Sequence, residues 1–553
     1  MERAAYESDN GDAEHAARDV FRRLEQLNAI GAALSAERDL DRLLENILVA
    51  AKTITNADGG TLYRVTEEGT LRFEIVRTSS LEYYLGGTSS APASFYPIRL
   101  YLDGKPNHGM VAAYSALTGK TVNIADAYAA EGFDFSGTKA FDAKTGYRSK
   151  SFLTVPMRNH ENEIIGVLQL INAMRGATAE VVPFSPADQR LAESLASQAA
   201  IALTNRMLID QLERLFESFI GLINAAIDEK SPYTGGHCQR VPTLTMMLAE
   251  AAADQSNPLP GFSMTEKDRY ELKIAALLHD CGKITTPVHV VDKATKLETI
   301  FDRIHLVDTR FEVLKRDAEI ALLRAQADLA ARGAGREAML AAEEQYRLRL
   351  RQLDEDRAFL RTCNVGGERM RDADMERVRA IGRYRWTDVA GHEANFLTEN
   401  EVQNLTIRAG TLATEEREII NHHIVSTIRM LEALPWPKHL KNVPELAGGH
   451  HERMDGKGYP KGLTGEQMSV QARAMGIADI FEALTAKDRP YKKGKTLSES
   501  LEILGRMSES GHVDPALFRL FVQAKVYRRY AETFLDPEQI DEVDESRIPG
   551  FSP

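Results

Sequence analysis

Gly449-His450-His451-Glu452-Arg453-Met454-Asp455-Gly456-Lys457-Gly458-Tyr459-Pro460 is the stretch on which the reading of this chain turns. Neighbouring residues on a helix point about 100° apart, so His450 and His451 serve one polynuclear site only if each faces a different ion or the backbone turns there. Gly456, Gly458 and Pro460 supply such a turn. Two histidines and a turn need matching ligands elsewhere in the chain.

Upstream, Leu277-Leu278-His279-Asp280-Cys281-Gly282-Lys283 reads as an apolar helix ending in His-Asp, with Gly282 where a helix would stop. Downstream, Ala478-Asp479-Ile480-Phe481-Glu482-Ala483-Leu484-Thr485-Ala486 places the Asp479 carboxylate on a helix whose other residues belong to a core. His237 follows a Tyr233-Thr234-Gly235-Gly236 turn, and His423 falls on a helix predicted from Thr414 to about Leu434.

In this order His237, His279-Asp280, His423, His450-His451, Gly458-Tyr459-Pro460, Asp479 and Arg489-Pro490-Tyr491-Lys492 resemble the HD-GYP family. These are metal-dependent cyclic dinucleotide phosphodiesterases, a branch of the HD phosphohydrolase superfamily. The resemblance implies two ions, one held by His237, His279, Asp280 and Asp479, the other by Asp280, His423, His450 and His451. Asp280 would bridge them and be catalytic. Lys283, also catalytic, would donate a proton or bind phosphate. Tyr459 would bound a guanine pocket, with Arg489 and Lys492 on phosphate oxygens. One extra residue near Lys487-Asp488 departs from the family spacing, so Arg489 should sit differently. Some members hold a third ion with a glutamate four residues before the first histidine; Tyr233 stands there, which favours two ions. Imidazole and carboxylate without thiolate suit Fe or Mn, with Ni or Zn compatible, and disfavour Ca and Mg.

The implied activity is signal-regulated hydrolysis of cyclic di-GMP to linear pGpG and on to GMP. Two alternatives stand beside it: a silent cyclic dinucleotide receptor signalling through its helical insertion, and a hydrolase of cyclic GMP-AMP. The Gly458-Tyr459-Pro460 motif disfavours nucleoside triphosphates.

At 553 residues the chain predicts roughly three or four units. Its net charge of -13 excludes nucleic-acid polymer as the main partner, since phosphate backbones select basic surfaces. Cys238, Cys281 and Cys363 are too few and scattered for a disulfide framework, and Cys238 and Cys281, each beside an expected ligand, read as small buried side chains. No apolar run approaches the ~18 to 20 residues of a membrane span, and the polar start Met1 to Ala13 does not read as a signal peptide. The expectation is a cytoplasmic protein with no membrane partner.

The fold class expected is multidomain α+β. After a tail over 1–19, an α/β sensor domain spans 20–184: helical spacing from Val20 to about Ala51, then strands near 60–65, 70–77, 151–158 and 164–172. Thr145-Gly146-Tyr147-Arg148-Ser149-Lys150-Ser151, Val155-Pro156-Met157 and Ile165 to Asn172 resemble the GAF family, closest to the branch in cyclic-nucleotide phosphodiesterases and cyclases. Asn172, Phe184 and Asp188 match that branch's structural signature, while Ala173 and Gln189 replace its Lys and Glu. Those replacements leave a small-molecule ligand open and count against a cyclic nucleotide. A linker helix over 185–230 opens with Ser185-Pro186. Its positions 195, 198, 202, 205, 209, 212, 216, 219, 223 and 226 alternate steps of three and four, a coiled-coil seam for a homodimer with Gln198 and Asn205 as polar seam positions. An all-α HD-GYP domain over 231–540 follows. It is interrupted at 300–411 by an insertion with two amphipathic helices, Phe311 to Ala331 and Glu337 to Leu360, and no strand pattern. Leu497 to Leu535 should close the bundle, leaving an unstructured tail at 541–553.

Overall fold

The computed structural model describes residues 25–175, 180–231, 236–254, 259–367, 369–487 and 494–551. They form two compact units, Met1–Phe216 and Glu217–Pro553. The expected tail 1–19 lies outside the described residues.

In the first unit the helical run from Val20 splits in two. One helix covers 25–36, and a second, Leu40–Thr55, starts afresh because the Asp39 side chain accepts from Arg42 N at 2.8 Å and caps it. The antiparallel sheet runs Tyr83–Gly86, Thr70–Thr78, Ala57–Val65, Ile164–Arg175, Phe152–Arg158, Val122–Ile124 in space. Its central strand is buried on both faces. One face packs Leu44, Ile47, Leu48 and Ala51 of the second helix; the other packs Leu100, Ala112, Ala113 and Ala116. At Gly60 an added Cβ would lie 2.8 Å from Leu48 Cδ1, so the helix approaches the sheet only because this residue has none.

The helix Pro186–Lys230 is continuous over 45 residues, but the seam expected along it needs correction. Ala192, Leu195, Ala196, Ala199 and Leu203 are buried in the sensor core, so that domain extends past 184. Gln198 packs beside Gly31, where a Cβ would sit 2.2 Å from its Oε1. Leu195 and Gln198 therefore serve the sensor core rather than a seam, since a residue facing the sheet cannot also face outward. The exposed apolar residues start later, with Ile201, Leu208, Ile209, Leu212, Leu215, Phe219, Leu222 and Ile223. Ile209, Leu212, Phe219 and Ile223 fall on positions of the expected seam, and Ile201, Leu208, Leu215 and Leu222 each lie one residue before one.

The second unit is helical. Its core joins His237–Ala253, Val470–Thr485, Leu497–Glu509, Pro515–Gln523 and Val526–Phe534 through Val241, Leu248, Ile477, Phe481, Leu501, Phe518 and Tyr530. Contrary to the expected tail at 541–553, Ile548 and Phe551 are buried in this core. Gly505 makes room for the chain end, since a Cβ there would lie 2.3 Å from Pro549 O.

The insertion forms the expected helical hairpin, Ile304–Ala331 and Arg336–Asn364. Its base has a core of its own, with Phe311, Leu353, Leu360, Val378, Ile381 and Phe396. The expectation of no strands there fails locally. Arg385–Thr387 pairs with Glu393–Asn395, a two-stranded hairpin too short to show a period of two.

Candidate metal centre

His237 opens a helix, His279 and the pair His450-His451 sit where helices end, and His423 lies within Thr414–Glu432. Glu266–Leu278 stops at His279, and the chain tightens into the 3-10 turn Cys281–Thr285. That turn lies against Thr414–Glu432 at Gly282, where a Cβ would come within 2.0 Å of His423 O. Gly282 N donates to Thr427 Oγ1 at 2.9 Å. This contact brings His279-Asp280 beside His423. His450 and His451 leave the end of Val443–Gly448, and their rings sit 4.1 Å apart at 44°. Gly458 folds the following loop back, because its Cα faces the Glu452 backbone where a Cβ would lie 2.4 Å away. Glu452, buried, accepts from Lys461 N at 2.7 Å and Leu463 N at 2.8 Å and pins that loop.

The side chains converge on Asp280. Its Oδ2 lies 3.0 Å from His237 Nε2 and 3.2 Å from His279 Nε2, and its Oδ1 lies 3.2 Å from His423 Nε2. Asp479 Oδ1 is 3.4 Å from His237 Nε2, and His451 Nε2 is 3.2 Å from His423 Nε2. Two groups of donor atoms result, His237, His279 and Asp280 in one and His423, His450 and His451 in the other, each with its donors within 4.8 Å of one another. His450 lies between them, 4.9 Å from the His279 ring and 6.4 Å from that of His423.

Lys283 donates to Asp280 Oδ2 at 2.5 Å. Tyr459 stacks on His451 at 4.8 Å. Arg489 and Lys492, expected on phosphate, and Tyr233 lie outside the described residues. At the end of the long helix, Lys230 donates to Lys283 O at 3.3 Å and to Ile284 O, both in the turn that carries Lys283.

Electrostatics suit the centre to cations. Burial opposes ionisation of Asp280, yet Lys283 and His279 hold its carboxyl well below the usual range. Burial and the His279 ring push His450 down to about 4, and burial with His450 pushes His451 well down, so both rings are neutral at pH 7 and free to donate a lone pair. Burial disfavours the Lys283 ammonium, but Asp280 and Asp479 outweigh it and raise its pKa. His279 Nε2, His450 Nε2 and Asp280 Oδ1 are buried without a hydrogen-bond partner among the described residues. Buried polar atoms normally find partners, so three such atoms aimed into one space fit divalent ions.

Glu482, one helical turn beyond Asp479, is a residue the sequence reading left without a role. It is 1% exposed and meets His237 Nδ1 at 2.5 Å and Arg240 Nε at 2.8 Å. A second acid on the same face of an apolar helix was the available signal. Cys238 and Cys281 are buried beside ligands, and burial pushes their thiols up to about 12 and 11.

An HD-domain model matches residues 234–355 and a second HD-domain model 399–517, while a GAF-domain model matches 39–203. The chain joins a GAF domain to an HD domain. A cyclic di-GMP phosphodiesterase of Pseudomonas aeruginosa is 41% identical over 118 residues, 21% of this chain and 27% of that protein. A cyclic di-GMP phosphodiesterase of Thermotoga maritima is 35% identical over 178 residues, 28% of this chain and 48% of that one. A 3'3'-cGAMP-specific phosphodiesterase of Vibrio cholerae is 42% identical over 81 residues, 15% of this chain and 19% of that one. The chain thus spans less than half the length of each. Residues 356–398, between the two HD matches, belong to the segment read as an insertion.

The GAF domain encloses a cavity of about 340 Å³, lined by Tyr63, Phe73, Tyr83, Phe135, Phe141 and Phe152 among others. Gln169 also faces it, but its amide is engaged by Tyr63 Oη and Thr154 Oγ1, each at 3.1 Å. No lysine, arginine or histidine lines it among the described residues. Among the described residues no helix is long and apolar enough to cross a membrane.

Proposed function

We propose that the HD domain hydrolyses cyclic di-GMP to linear pGpG, and further to GMP, at a centre of two divalent ions. The convergence of His237, His279, Asp280, His423, His450, His451 and Asp479 on one space carries this reading. His237, His279, Asp280 and Asp479 would hold one ion, and Asp280, His423, His450 and His451 the other. Iron or manganese suits this imidazole and carboxylate set, with nickel or zinc compatible. When bound, such ions supply Lewis acidity toward a phosphate oxygen and lower the pKa of water. Asp280, reaching both groups through its two oxygens, sets their spacing. Lys283 places an ammonium beside Asp280, where it can donate to a phosphate oxygen or to the departing ribose oxygen. Tyr459 supports His451 and offers its outer edge to a base; Arg489 and Lys492 complete the phosphate grip.

The relatives act on two cyclic dinucleotides, so cyclic GMP-AMP is the second substrate reading. Metal-loaded protein is to be given each compound separately, with products resolved by chromatography. Linear pGpG from cyclic di-GMP supports the proposal. Turnover of cyclic GMP-AMP alone moves the assignment to the second substrate, and binding without turnover reduces the protein to a receptor.

Regulation would reach the site along the long helix, whose last residue, Lys230, bonds to the turn carrying Lys283. The stripe from Ile201 to Ile223 pairs two copies as a parallel coiled coil, because eight large apolar side chains in water along one helix are buried most simply by their own counterparts. The GAF cavity takes an apolar or aromatic small molecule rather than a cyclic nucleotide, whose phosphate would find no cation in its lining. The protein acts in the cytoplasm, where its scattered thiols stay reduced.

A further inference from the structure

The imidazoles of the centre are held in two different ways. His279, His423 and His450 each direct Nδ1 at the carbonyl three residues back, Ala276 O at 2.8 Å, Ile420 O at 2.5 Å and Ala447 O at 2.7 Å. Backbone fixes those three rings with Nε2 toward the centre. His237 is the first residue of its helix and has no such helical carbonyl behind it. Its Nδ1 instead meets Glu482 Oε2 at 2.5 Å, from a helix far away in sequence. The other oxygen of Glu482 takes Arg240 Nε at 2.8 Å and Nη2 at 2.7 Å. Two helices are thereby cross-braced. His237–Ala253 contributes His237 and, one turn on, Arg240; Val470–Thr485 contributes Asp479 and, one turn on, Glu482.

We infer that Glu482 is a positioning residue, anchored by Arg240, that holds the His237 ring with Nε2 toward Asp280 and Asp479 and so sets ion affinity at one of the two sites alone. The inference rests on the two-ion reading proposed above. A carboxylate on the far nitrogen fixes the tautomer and raises ligand basicity, and losing such a partner costs about 10- to 100-fold in metal affinity. The Nδ1 atoms of His279, His423 and His450 meet backbone carbonyls, and among the described residues no carboxylate is bonded to them, so the other site should not notice its loss.

The test uses the full chain, stripped by chelator and titrated anaerobically with Mn²⁺, with bound ion counted by mass spectrometry. Wild type should bind two ions per chain. Glu482→Gln, which keeps the shape and a hydrogen-bond acceptor, should keep one site at wild-type affinity and weaken the other about 10- to 100-fold. Its turnover should recover as Mn²⁺ is raised, which a damaged fold would not allow. Glu482→Leu should weaken the same site further, giving the order Glu, Gln, Leu. If a neutral partner leaves Arg240 stranded and the metal-free melting temperature drops, the pair Glu482→Met with Arg240→Met removes both charges and should show the same single-site loss. Two unchanged sites in Glu482→Gln, or equal weakening of both, overturns the inference and leaves the two-ion reading standing. A wild type that takes up no ion overturns both.

Discussion

Loading the metal-free chain with a divalent ion should raise the melting temperature of the unit Glu217–Pro553 by about 12 °C, and Asp280→Asn should remove most of that gain. The magnitude follows from the placement of the ligands. Donor groups lie on both sides of Asp280, so on the two-ion reading proposed above two ions would bind the folded unit, and neither would have a preformed site in the unfolded chain. At a thousandfold excess over its dissociation constant each ion stabilises by about 4 kcal/mol, together about 8. Unfolding entropy runs at roughly 2.1 cal/mol/K per residue, which from Glu217 to Pro553 gives about 0.7 kcal/mol/K. Dividing one by the other gives the expected shift. Asparagine keeps the volume of Asp280 but carries no charge and only one acceptor oxygen, so both sites weaken; about a hundredfold loss at each leaves about 1.4 kcal/mol per ion, and the shift should fall to about 4 °C. Differential scanning calorimetry of the stripped full chain with added Mn²⁺, alongside ion counting, makes the measurement. A wild-type shift under about 3 °C at saturation, or an equal shift in Asp280→Asn, would refute the reasoning.

Lys283→Met should lower kcat about 100- to 1000-fold while two ions still bind, because the ammonium contacts Asp280 and, being a cation, is not itself a ligand; product chromatography and ion counting separate the two effects. Leu212→Asp combined with Phe219→Asp puts charge on the exposed stripe and should convert a dimer to a monomer in sedimentation velocity, without changing ion binding per chain. Glu401, buried, is held below its ordinary value of 4.5: burial opposes ionisation, but Arg310 at 2.8 Å outweighs it. A depressed carboxyl contributes stability above its unfolded pKa and loses it as pH falls through the folded one. Urea midpoints should therefore drop more steeply below pH 4.5 in wild type than in Glu401→Gln, and parallel slopes would count against this role.

The cluster of candidate ligands was legible because chemistry left a mark in residue type. Imidazoles and carboxylates among residues otherwise fit for a core, as at Asp479 and His279, cannot be explained by packing. The long helices of the insertion were legible from apolar periodicity, and the paired strands of the GAF sheet from short strand-like runs bounded by turns. Where the signal was short or shared, the reading missed. The hairpin at Arg385–Thr387 has too few residues for a period, and the burial of Ile548 and Phe551 depends on the space that Gly505 leaves on another helix.

What the sequence determined by itself was the inventory: which side chains are of a kind that can bind cations, in what order, and which segments have one apolar face. What the tertiary structure decided was which partner each face meets. Leu195 and Gln198 have the spacing of a seam but turn to the sensor core, while Ile201, Leu208 and Leu215 are left in water. Periodicity records that a helix has an apolar side and is silent on what covers it. Glu482 likewise counts as one more acid until folding brings it to His237, because a hydrogen bond between residues so far apart in the chain leaves no local trace in the sequence.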